Sequence, residues 1–136
     1  MEGSCYALLF ADRIITENNG KKGLIGVFSD FHFPKFPAIA PPWFIYAAVS
    51  NLTGKHEFSI NLVRDESQQV VLPIAGEVNF PETGRDVELI FPIGNLSFQK
   101  PGVHTLTFNI DGQQLGSRIL TVRQAEPPPP AARGGN

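Results

Sequence analysis

The stretch "HEFSINLVRD", residues 56–65, alternates with a period of two. His56, Phe58, Ile60 and Leu62 fall on one side and Glu57, Ser59 and Asn61 on the other. That pattern gives a strand with one face on a core and one on water, as in antiparallel sheets. "GVHTLTFNID" (102–111) repeats it, with His104, Leu106, Phe108 and Ile110 inward and Thr105, Thr107 and Asn109 outward. "RDVELIF" (85–91) sets Val87, Leu89 and Phe91 against Asp86 and Glu88. No window holds an i, i+3, i+4, i+7 apolar pattern over three turns, so helix is not expected.

The breaks between these runs carry turn chemistry. "ENNGKKG" (17–23) reads as a hairpin loop in which Asn19-Gly20 takes positive φ. "NLTGK", "RDESQQ", "PETGRD", "QKPG" and "DGQQ" punctuate the rest. Eight strands are expected, at about 6–16, 23–31, 43–50, 56–64, 69–79, 86–91, 103–110 and 115–123. An all-β fold of about seven or eight antiparallel strands follows, a β-sandwich or a small barrel occupying residues 1–124. Residues 125–136, "AEPPPPAARGGN", hold no large apolar side chain and read as a disordered Pro/Gly tail.

"FHFPKFPAIAPPWFIY" (31–46) packs four prolines among six aromatic residues. Its prolines disfavour both sheet and helix, which leaves an extended connection between strands. Two uses of it are open. As scaffold it crosses between sheets, with Phe33, Phe36 and Ile39 pegged into the core and Lys35 in water. As a protein-binding patch it presents Phe31, Phe33, Phe36 and Trp43. Ile90 and Val63, on otherwise polar strand faces, hint at an apolar outer patch.

"LLFADRIITENNGKKGLIGVFSDFHFPKFPA" (8–38) resembles a family of small bacterial proteins of unknown function, DUF6941. Asp12-Arg13, Gly23-Leu24-Ile25-Gly26 and Phe36-Pro37-Ala38 carry the resemblance, and "KPGVHTLTFNIDGQQLGSRILTV" (100–122) is similar to the family's closing hairpin. It covers about residues 5–123 and implies an immunoglobulin-like sandwich without known catalytic residues. His104 departs from the pattern, in which a tyrosine is expected. A polar ring there, after Pro101-Gly102, suits a backbone-bonding corner.

The chain has 136 residues, a net charge of −2 and 18% charged residues, with Lys and Arg scattered. That balance gives no reason to bind nucleic acid or an acidic membrane. The first residues do not read as a secretory signal, and no run approaches the roughly 20 apolar residues of a spanning helix. A cytoplasmic protein is expected. Cys5 is the single cysteine, and His32, His56 and His104 lie far apart with no metal-ligand spacing. No nucleophile elbow or phosphate loop occurs. No catalytic residue, metal or cofactor is expected.

Three functions remain. The first is a non-enzymatic module that binds another protein or itself. The second rests on "ARGGN" (132–136), which looks like a ubiquitin-type tail. Gly134 and Gly135 would thread an activating enzyme or a peptidase, since glycines carry no obstructing side chain. The third is an enzyme whose site the sequence does not display.

Overall fold

The computed structural model of the chain describes residues 3–83 and 85–126. These residues form eleven strands and no helix: β1 (Ser4–Thr16), β2 (Lys22–Phe28), β3 (Asp30–Phe33), β4 (Ala38–Ile39), β5 (Trp43–Ser50), β6 (Gly54–Arg64), β7 (Gln69–Phe80), β8 (Val87–Ile93), β9 (Ser97–Phe98), β10 (Gly102–Ile110) and β11 (Gln113–Gln124). One sheet has the order β2-β1-β5-β8, the other β3-β11-β10-β6-β7, and β4 pairs with β9 alone.

The alternating runs behave as their period requires. Ile60 and Leu62 of β6 and Leu106, Phe108 and Ile110 of β10 are fully buried between the sheets. From the facing sheet, Phe10, Trp43, Ile45, Ala47 and Val49 complete the core. Phe58 is half-buried, with its ring 5.4 Å from that of Phe91 across the gap. The β10–β11 hairpin closes on Asp111-Gly112, with φ of 50° and 80°. Positive φ at both positions is the mirror-image turn whose twist matches its strands.

The structure differs from the expected strand pattern in three places. The run expected at 23–31 is two strands in different sheets. The chain leaves β2 at Phe28, crosses at Ser29 and enters the other sheet as β3, parallel to β11. The five-stranded sheet is therefore mixed, while the four-stranded sheet is purely antiparallel. Phe28 and Phe31 meet with ring centroids 4.8 Å apart, one from each sheet. The two-residue strands β4 and β9 add two more to the expected eight. They are too short to show a period, and prolines at 37, 41 and 42 withhold ladder donors on one side.

The Phe-Pro connection returns the chain from β3 to β5, as a scaffold segment would. Lys35 is exposed and Phe33 and Phe36 are half-buried. Ile39 is not a peg: it is 67% exposed. Its neighbours Ala38 and Ala40 take the inward positions, where Ala38 pairs with the buried Phe98 and Ala40 N donates to Leu96 O at 2.9 Å.

The chain's last described contact follows β11, where Ala125 N donates to Phe33 O at 2.8 Å. Pro127 to Asn136, including Gly134 and Gly135, lie outside the described residues.

Candidate functional site: the outer face of the four-stranded sheet

Phe31, Phe33, Phe36 and Trp43 come together in one aromatic cluster. Phe31 lies 5.5 Å from both Phe33 and Trp43, and Phe33 lies 5.8 Å from Phe36. Trp43 is 1% exposed, so its ring is on no surface. Phe98 and Phe10 extend the cluster inward. These rings close one end of the sandwich and present only partial edges to water.

The large exposed apolar side chains lie elsewhere. In the β2-β1-β5-β8 sheet the inward row is Leu8, Phe10, Trp43, Ile45 and their partners. The alternate positions therefore face outward: Leu9 beside Tyr46, Ala11 beside Phe44 and Val27, and Arg13 beside Ile25. On β8, Glu88, Ile90 and Pro92 complete the face, opposite Ala48, Tyr46 and Phe44. Tyr6, Ile15, Ile25 and Val27 are 54%, 46%, 38% and 52% exposed. They make up half of the eight large apolar side chains exposed among the described residues.

Two formal charges stand among the ladder positions of this face, Arg13 on β1 and Glu88 on β8. The Tyr46 hydroxyl donates to Glu88 Oε2. Burial, and then the neighbouring carboxylate, push the Tyr46 hydroxyl above its ordinary pKa, so it stays a neutral donor. Ala7, Ala11 and Ala48 are small residues set between Leu9, Phe44, Tyr46 and Ile90. The larger neighbours cover Ala11 and Ala48 completely.

The opposite outer face, on the five-stranded sheet, is mixed. Ser59, Asn61, Thr105, Thr107 and Asn109 stand on it beside the half-buried Val63 and the exposed Val70, Val103 and Ile119. Ile90 and Val63 thus belong to different faces and form no common patch. The sequence signal for the apolar face is in β1 and β5. "ALLFA" and "WFIYAAV" are apolar at every position, so they lack a polar side to give to water.

Two polar clusters are accounted for by structure. His104 is 1% exposed, and its Nδ1 lies 3.1 Å from Gly102 O. Burial holds its pKa below the ordinary value. Beside it, Arg64 donates to Lys100 O and Pro101 O at 3.1 and 2.7 Å, pinning the corner before β10. At the other end, His56 Nδ1 lies 2.6 Å from Asp111 Oδ2, and Nε2 lies 2.8 Å from Thr53 O. Asp111 Oδ1 also accepts from Glu57 N at 2.9 Å. Among the described residues no three His, Cys, Asp or Glu side chains group as metal ligands would. No helix is long and apolar enough to cross a membrane.

Solved structures share this fold. The chain overlays on part of the Pseudomonas fluorescens alkylpurine DNA glycosylase AlkC, bound to DNA containing an abasic site analog, with a TM-score of 0.52 and 10% identity, covering 90% of this chain and 30% of that one. It overlays on a β-glucosidase from Listeria innocua, in complex with isofagomine, with a TM-score of 0.53 and 12% identity, covering 90% of this chain and 16% of that one. The chain therefore spans less than a third of either protein, and at these identities the likeness is one of fold alone. No curated protein matches in sequence. A family model does match, over residues 6–123, and the chain belongs to that family of unknown function, DUF6941.

Proposed function

We propose that the protein is a non-enzymatic protein-interaction module built on an immunoglobulin-like sandwich, and that it binds through the outer face of the four-stranded sheet. The apolar character of that face carries the reading. A solvated sheet face ordinarily alternates to polar residues, and polar residues hold most of the outward ladder positions of β6 and β10. An apolar field rimmed by a few charges is the usual signature of a protein contact. The half-buried Phe44 near its centre and the exposed Tyr6, Ile15, Ile25 and Val27 towards its margins supply the apolar area that a partner would cover. The expectation that Phe31, Phe33, Phe36 and Trp43 form the binding patch is replaced in this reading by Leu9, Ile25, Val27, Phe44, Tyr46 and Ile90.

A photo-crosslinking residue at position 27 tests it, with position 119 as control. Ile119 is 57% exposed and lies on the five-stranded sheet. Protein adducts formed in the native host at position 27 and not at 119 are expected. Equal labelling at both positions, or none at 27, would refute the assignment of the face.

A further inference from the structure

We infer that the partner of this face is a second copy of the chain, packed face to face about a two-fold axis so that Arg13 of each copy meets Glu88 of the other. The inference rests on the interaction reading above and adds the identity of the partner.

The placement of the two charges is the first argument. Glu88 shares a rung with Ala48 and Ala7, while Arg13 lies six residues further along β1 than Ala7. The charges therefore stand at diagonal corners, about 20 Å apart along the strands and about 10 Å apart across them. Their midpoint falls over β5 between Phe44 and Tyr46, at the centre of the apolar field. In an isologous contact residue i meets j and j meets i. A two-fold axis lying in the interface over that midpoint exchanges the two corners. It pairs both charges at once and lays the apolar centre of one copy on that of the other. An unrelated partner would have to supply a matching anion and cation at the same diagonal; a second copy already carries them.

The size of the face bears on how tight the contact is. Four strands by seven residues give a footprint of roughly 450 Å² per copy before side-chain relief is counted. At about 900 Å² for both copies together, that falls below the standard size of specific interfaces and points to a weak, reversible dimer. Glu88 accepts the Tyr46 hydroxyl with one oxygen, and a carboxylate has lone pairs left for a guanidinium. An isologous contact uses the same patch on both copies, so it closes at two.

Sedimentation of the full chain between about 1 and about 500 µM tests the inference. A monomer–dimer equilibrium is expected. Arg13→Glu and Glu88→Arg should each weaken it about ten-fold or more, because each sets like charges together at two symmetric places. An equimolar mixture of the two variants should then form a heterodimer, and the double variant R13E/E88R should dimerise again. Both residues are exposed, and thermal melts confirm that each variant is folded. Val27→Asp should also abolish the dimer without touching either charge. A parent chain that stays monomeric throughout overturns the inference, as does a mixture no tighter than its components. Monomers that still crosslink another protein at position 27 would refute the second copy while keeping the interaction face; loss of both results would sink both readings.

Discussion

The Asp12 carboxylate lies over Gly26, in the space that the Cβ of any other residue at position 26 would need. An ideal Cβ there falls 2.8 Å from Asp12 Cγ, and Gly26 has φ of +69°. The two stand opposite each other where the β1–β5 ladder has ended at Ala11 and β1 pairs with β2 alone. Asp12 and Gly26 come from separate motifs of the family pattern, and the hairpin makes them one unit.

Gly26→Ala should lower stability by about 2–4 kcal/mol, combining the left-handed backbone cost with the steric clash. Adding Asp12→Ala should recover the steric part and leave about 1–2 kcal/mol. Urea titration of the two single variants and the double variant checks this. Additive losses would show that the carboxylate does not occupy that space.

The core makes a graded prediction. Phe108 is fully buried, so Phe108→Ala should cost about 3–5 kcal/mol. Phe36 is half-buried against Phe33, and Phe36→Ala should cost less, about 1–3 kcal/mol. Denaturant midpoints rank the two. An unchanged midpoint for Phe36→Ala would show that the Phe-Pro segment is not anchored by that ring.

These packing relationships differ in how readable they were from the sequence. β6 and β10 were legible because each gives one face to the core and a polar face to water, so period two appears in the letters. The crossing at Ser29 was not legible. Phe28 and Phe31 both face the core, but from different sheets, and in sequence they look like parts of one apolar strand. The candidate face was hidden for a related reason. β5 is apolar on both sides, so its outward row, Phe44, Tyr46 and Ala48, cannot be told from its inward row by period. Ile90 was visible as an apolar residue on a strand with acidic neighbours, but its companions were on strands far away in sequence.

The His56–Asp111 pair predicts a pH dependence. His56 has an oxygen acceptor at each ring nitrogen, and only the imidazolium donates to both. The hydrogen bond to Asp111, and then that to the Thr53 carbonyl, raise the His56 pKa, while His56 and the Glu57 amide lower that of Asp111. A raised histidine stabilises fully below its unfolded value of about 6.5 and loses that contribution as pH rises through the folded pKa. A lowered aspartate contributes above about 3.9 and loses it as pH falls through its folded pKa. The pair's contribution is therefore complete between about pH 4 and 6.5. Asp111→Asn tolerates the same positive φ and removes the charge. Melting curves across pH should show the variant losing its margin in that window and converging on the parent at high pH. A constant offset at every pH would count against the linkage.

The C-terminal tail should be dispensable for folding. Ala125 makes the last backbone bond to the sandwich among the described residues, and the residues after Glu126 carry no large apolar side chain. A chain ending at Glu126 should melt within a degree or so of the full chain. A large drop would show that the tail packs on the body.

The parallel pairing of β3 with β11 constrains how the protein is born. Asp30 finds its ladder partner at Thr121, close to the end of the sandwich. A ribosome delivers β3 long before β11, and contacts so distant in sequence form late and at high loop-closure cost. Until β11 emerges, β10 has an open edge and Phe31 and Phe33 lack the strand that positions them. The nascent chain therefore passes through a stage in which its most adhesive segment is uncovered and cannot yet be folded away.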